Sequence, residues 1–366
     1  MQFELDEERA LLRQATRDLL AKEAPLADAR AVMEQTAEGF SKALLGKLAE
    51  LGYLGLALPE SKGGAGIGRV GLVAVLEEMG RAAFPGPYLD LVMAAELLAG
   101  AAGEPAAGWL RRLLAGEALV VVAARESLGA EDDAARARFA DGRVQGLKRF
   151  VPFGADADAL LATTAQGLAL VPRPSEGWNA TPLATLDHAQ RFAEIALDAP
   201  AVLLADAAGS AAALVEAGRL GSLGAAAQLL GLMGRALELT VAYMRERQAF
   251  RAPIATFQAL QHRAADMLMR TECTRAAVYR AAWMADHEPA RAALPIAAAK
   301  AYAGDAGRFV CGEAIQLHGG VGFTWEYDPH VYFKRVKTLE QFYGSTSAQL
   351  ELALAASLAY ANVKRP

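Results

Sequence analysis

Only two cysteines, Cys273 and Cys311, occur in the 366 residues. A pair so far apart gives neither a disulfide framework nor a CxxC motif, which fits a reducing compartment. A chain of this length buries an ample core without disulfides or metal. Long basic runs are also missing and the net charge of -5 is spread along the chain, so the electrostatic footprint of a nucleic-acid binder is excluded. Apolar stretches such as Leu97 to Ala102 and Ala225 to Met233 are too short and too interrupted to span a bilayer. The acidic start, Met1 to Glu8, has no apolar run behind a basic stub, so neither a secretory signal nor a transit peptide is expected and the protein is placed in the cytoplasm. His188, His262, His287, His318 and His330 show no ligand spacing with Cys or carboxylates, so no metal site is expected.

What is present is a helical period, interrupted once. From Asp6 to about Leu114 apolar residues recur three or four apart, as in Leu44, Leu48, Leu51 and Leu72, Val75, Leu76, Met79, with Asp6 and Ser41 as N-cap candidates. The Gly63 to Gly68 cluster lacks dinucleotide-binding spacing and reads as a loop between helices. Short β-like runs follow at Leu119 to Val122, Arg143 to Val151, Ala159 to Thr163, Leu168 to Val171 and Arg191 to Leu197. The helical period then returns in a stripe through Leu223, Ala227, Leu230, Gly234, Leu237 and Val241, whose small residues suit close packing as at an oligomer interface. The expected organisation is an all-α domain over 1–117, a β-domain over 118–204 and an α-helical bundle over 205–366. Helices, strands, then helices exclude a doubly wound sheet.

Two stretches carry more chemistry than a generic helix needs. Arg247 to His262 contains Arg-x-x-Phe-x-x-Pro-Ile-x-x-Phe-Gln, turning at Pro253 between two helices. Arg247 at a helix end is either a dipole partner or, with its planar fork, a phosphate ligand. Gln316 to Phe323, continuing to Tyr327, places Gly319, Gly320 and Gly322 where main chain comes close to a ligand, with an amide at Gln316 that both donates and accepts. In this order and separation the two stretches resemble the signatures of the FAD-dependent acyl-CoA dehydrogenases, and the α-β-α layout agrees over nearly the whole chain.

The resemblance implies a mainly α fold with a central β-domain and a C-terminal four-helix bundle. It implies FAD as cofactor, held through Arg247, Phe250, Gln258, Gln316, Gly319, Gly320 and Thr346, with several of these contacts made to the FAD of a neighbouring subunit. A homo- or heterotetramer, an acyl-CoA substrate and an electron-transferring flavoprotein as acceptor follow from the same likeness. His318 falls at a variable position of the motif and is expected to be structural or solvated.

The chain departs from the family where the chemistry is done. Phe342-Tyr343-Gly344-Ser345-Thr346-Ser347 is similar to the family's Tyr-Glu-Gly-Thr-Ser segment, with Gly344 in place of the base that removes the α-proton, a function worth about two to four orders of magnitude in rate. The alternative base position, counted back from Arg247, is Gly221 beside Ser222; a shift of register would offer Glu216, near Arg219, as a substitute, and otherwise Glu216 is a helix-dipole partner. The flavin strand reads Ala124 to Asp132 without the family's Pro and Gly-Ser pair, and Pro152 stands where a Thr would bond the flavin, without hydroxyl or N–H. Three readings follow: a subunit lacking the base that lends FAD contacts to an intact partner chain, as in the heterotetrameric bacterial enzymes acting on bulky CoA esters; a homo-oligomeric enzyme, either a dehydrogenase with a relocated base at Glu216 or a flavoprotein whose chemistry removes no α-proton; or a non-catalytic binder of acyl-CoA or of a partner.

Overall fold

The computed structural model describes residues 5–128, 135–173 and 176–363. Helices α1 (Glu7–Glu23), α2 (Leu26–Gln35), α3 (Lys42–Glu50), α4 (Gly68–Arg81), α5 (Tyr88–Gly100) and α6 (Glu104–Leu114) come first. Strands β1 (Val120–Ala123), β2 (Arg138–Ala140), β3 (Arg143–Pro152), β4 (Ala159–Thr164), β5 (Gly167–Pro172), β6 (Trp178–Leu183), β7 (Phe192–Pro200) and β8 (Val202–Asp206) follow. Helices α7 (Ala207–Glu246), α8 (Gln258–His287), α9 (Ala293–His318), α10 (Pro329–Gln341) and α11 (Thr346–Val363) complete the described chain. No described helix is long and apolar enough to cross a membrane.

Local chemistry sets the boundaries. The Asp6 carboxylate accepts from Arg9 N at 2.9 Å and Ser41 Oγ from Leu44 N at 3.2 Å, capping α1 and α3 as expected. Gly116 ends α6: at φ 72° it lets its own N–H reach Leu113 O and the Glu117 N–H reach Arg112 O, a Schellman pair that a Cβ would strain. Asp206 closes β8 and caps α7 in one step, accepting from Gly209 N at 2.7 Å.

The chain packs as two units. One comprises residues 28–68 and 85–221. Its strands form two four-stranded sheets, ordered β1-β4-β5-β8 and β2-β3-β7-β6, in which only the β1–β4 pairing is parallel. The strands β2, β6 and β8 were not expected from the sequence. β2 is three residues long, β6 is largely exposed with Pro182 inside it, and β8 runs straight into α7, so none presents a clean apolar alternation.

The other unit comprises residues up to 27, 69–84 and from 222 onward. Helix α8 returns alongside α9, with Arg263 beside Glu313 at 3.3 Å and Arg270 beside Asp305 at 3.7 Å. One small residue of α7, Gly231, serves a close crossing with α4. A Cβ on Gly231 would overlap Glu77 O and lie 2.5 Å from Arg81 N, while one on Gly80 would overlap Gln228 O. Gly234, on the expected stripe, has nothing within 4 Å of its Cβ position. Buried Glu77 and Glu78 on α4 are neutralised by Arg275 and by Arg17, whose Nη2 is 2.7 Å from Glu78 Oε1.

Candidate active site and cofactor face

Helices α7, α8 and α9 bring the first group of expected ligands to one end of the bundle. Tyr243 on α7 stacks on His318 at the end of α9, ring centroids 4.3 Å apart, and its hydroxyl donates to His318 O at 3.3 Å. His318 is buried, with Nδ1 2.7 Å from Ala314 O, and burial pulls its pKa below the ordinary value. It is therefore the structural residue expected, seating the end of α9 against α7. One turn beyond Tyr243 stands Arg247, whose carbonyl accepts from Ile254 N at 2.8 Å. Gln316 lies two residues before His318, and Gly319, at φ 66°, caps α9.

The connection from α7 to α8 turns earlier than its sequence suggests. Gln248–Ala249 pairs with Ala252–Pro253 as a two-residue ribbon, so the reversal is at Phe250 and Arg251, with Pro253 on the returning arm. Both turn residues have positive φ, 51° and 68°. A turn of this kind normally carries Asn-Gly, and this is why Pro253 was the more visible signal. The geometry pushes Phe250 outward to 91 % exposure. Arg247, Gln258, Gln316, Gly319 and Gly320 are exposed too, and the Cβ positions of Gly319 and Gly320 are open. A guanidinium, two amides, an exposed aromatic ring that rests edge-on against Phe257 at 6.1 Å and a glycine turn at one end suit an anionic, ring-bearing ligand approached from outside.

Thr346 does not join them. A Cβ built on Gly304 of α9 lies 2.8 Å from Thr346 Oγ1, and Gly304 precedes His318 by fourteen residues, about 21 Å of helix. Thr346 Oγ1 is buried without a hydrogen-bond partner. The seven expected ligands thus divide within one chain into six at the bundle end and one beside the middle of α9.

Beside Thr346 is the turn lacking the carboxylate. Tyr343 and Gly344 are both left-handed, φ 59° and 100°. Ser222 Oγ on α7, next in sequence to Gly221, donates to Tyr343 O at 2.8 Å. From α11, Gln349 Nε2 donates to Ser222 Oγ at 3.0 Å and to Tyr343 O at 3.3 Å. From α9, fully buried Lys300 donates to Gly344 O at 2.7 Å and Glu340 O at 3.2 Å, and burial pulls its pKa down to about 8. Sequence reasoning missed Lys300 and Gln349. A Lys flanked by alanines in an apolar helix was the available signal for the first, and nothing marked the second.

Glu216 sits in the third turn of α7, so it is not a partner of the helix dipole as expected; it is largely exposed and paired with Arg219. On the strand side, the described part of the 124–132 stretch ends at Leu128; residues 129–132 lie outside the described residues. Fully buried Lys148 donates to Glu126 and, at 3.0 Å, to Thr163 Oγ1, pinning this segment to β3; burial lowers its pKa, against the pull of Glu126. Pro152 pairs with Phe192 at the end of β3, past a bulge where Phe150 is left-handed at φ 49°. The Arg125 guanidinium stands 5.3 Å over the Phe150 ring, and Phe153 is buried edge-on against Phe40 at 5.5 Å. Among the described residues no cluster of His, Cys, Asp or Glu is placed to hold a metal ion.

Comparisons with known proteins agree with the fold. The acyl-CoA dehydrogenase N-terminal domain matches residues 6–117 and the acyl-CoA dehydrogenase C-terminal domain residues 211–358. Acyl-CoA dehydrogenase IpdE2 of Mycobacterium tuberculosis is 34 % identical over 90 % of this chain and 91 % of its own length. The ChsE4-ChsE5 complex of Mycobacterium tuberculosis superposes with a TM-score of 0.87 at 30 % identity, covering 100 % of both chains. A variant of the Tcur3481-Tcur3483 steroid ACAD gives 0.88 at 30 % identity, over 97 % of this chain and 99 % of the other. With two signatures, the fold and these relatives in agreement, the chain belongs to the acyl-CoA dehydrogenase family.

Proposed function

We propose that this chain is the subunit of a heteromeric acyl-CoA dehydrogenase that lacks the catalytic base and lends FAD contacts to an intact partner chain. The observation that carries the reading is Gly344: the turn where the family's carboxylate stands has no side chain, and the side chains that bond the turn, Ser222, Lys300 and Gln349, include no carboxylate. Glu216, exposed and paired with Arg219, has no feature that favours it as a substitute base.

The residues at the bundle end fit FAD. Arg247 would meet a pyrophosphate oxygen, Gln258 and Gln316 would bond phosphate or adenine edges, and Phe250 would cover an apolar face of the dinucleotide. Bound FAD supplies the hydride acceptor for α,β-dehydrogenation of an acyl-CoA thioester. This chain's own part is to bind, orient and cover, while the partner chain supplies the base. The separation of Thr346 from the other six ligands supports the reading, since groups about 21 Å apart along α9 serve one cofactor poorly within a chain. The heteromeric ChsE4-ChsE5 and Tcur3481-Tcur3483 relatives support it as well. A tetramer with the partner and an electron-transferring flavoprotein as acceptor complete the proposal.

Arg247→Ala tests the lending role. Arg247 is exposed, so the chain should keep its stability within about 0.5 kcal/mol, while the flavin content of the copurified complex falls. Unchanged flavin content would remove Arg247 from the site.

A further inference from the structure

Gly344 is not a lone substitution in an otherwise ready site. A Cβ built on it would overlap Gln349 Nε2 and lie 3.0 Å from Cδ and 3.3 Å from Cγ of the same side chain. Gln349 is buried and its amide is held by Ser222 Oγ and Tyr343 O, so it does not swing away freely. The backbone opposes a side chain separately, because φ of 100° is a conformation that residues with a Cβ rarely adopt. Behind the turn, Lys300 fixes the Gly344 carbonyl, and buried Glu340, one turn earlier on α10, is neutralised by Arg308 at 2.5 Å and Lys337 at 2.7 Å.

We infer that Gln349 is a positioning residue that occupies the side-chain space of position 344, and that with Ser222 and Lys300 it holds the turn in a form no carboxylate can enter. The inference rests on the reading of this turn as the substrate side of the site. Loss of the base is then written into α7, α9 and α11 together. Gly344→Glu alone does not restore a base; it evicts Gln349 and breaks the two hydrogen bonds of its amide.

The test is a double-mutant cycle on the full chain in the assembly in which it purifies, read by thermal unfolding. Gly344→Ala should lower the unfolding midpoint by about 4 °C or more. In a Gln349→Ala background the same change should cost less than half as much, the remainder being the cost of the left-handed backbone. A purely structural Gln349 gives no such coupling, so equal losses in both backgrounds, or a neutral Gly344→Ala, overturn the inference. For Gly344→Glu the readout is soluble yield: recovery on adding Gln349→Ala supports the inference and equal insolubility opposes it. None of these readouts involves flavin or acyl-CoA. The inference therefore stands or falls separately from the subunit role, which a fully flavinated and active lone chain would remove without touching the coupling.

Discussion

His318 shows how much of a motif is packing. Its ring stacks on Tyr243 and its Nδ1 meets Ala314 O inside the bundle, so it joins two helices whose exposed neighbours are the proposed ligands. Burial lowers its folded pKa below the usual 6.5. Above pH 6.5 the ring is neutral in both folded and unfolded chains. As pH falls through 6.5 the unfolded chain takes up the proton first, and stability is lost until the folded pKa is reached. His318→Phe keeps an aromatic stack without a titrating group, so its urea midpoint should fall less steeply than that of the native chain as the pH is lowered below 6.5. Parallel slopes would show that His318 does not titrate as its surroundings dictate. The motif made His318 legible as a structural position, because it falls where the motif varies. It left Gln349 invisible, because what matters there is that its amide lies in the space of another residue's Cβ.

At the scale of elements, close helix crossing follows from where a Cβ has no room. Gly231→Ala should cost about 2–4 kcal/mol, since its methyl would meet the Glu77 carbonyl and the Arg81 amide of α4. Gly234→Ala, with open space around its Cβ, should be neutral or stabilising by up to about 1 kcal/mol through helix propensity. Chemical denaturation of both variants checks the pair, and similar losses at the two positions would contradict the crossing. The helices were legible because their apolar period is long, and five strands because they are apolar and bounded by turns. β2, β6 and β8 were not, because edge position and short length leave little pattern. The stripe through Gly234 was legible as a packing surface, but the close crossing with α4 is made by Gln228 and Gly231, which lie off that stripe.

Across the whole molecule, family membership was readable from two signature stretches, because ligand-facing residues keep fixed chemical types at fixed spacing. The rebuilt side was readable only as absences: Gly344 for the carboxylate and Pro152 for a hydroxyl. The structure turns those absences into contacts, with Ser222, Lys300 and Gln349 around Tyr343 and Gly344, and Arg125 over Phe150. The outward face, Arg247, Phe250, Gln258 and Gln316, remains free of such substitutes and exposed. On the proposed reading, a filled turn at Gly344 and an exposed face at Arg247 suit a chain that completes a partner's site. The most direct measurement is the FAD-to-chain ratio, with the absorbance near 450 nm, of the protein purified alone and after coexpression with an intact homologue. The account predicts little or no flavin alone and roughly one FAD per pair of chains in the complex. A full FAD complement with dehydrogenase activity in this chain alone would contradict it.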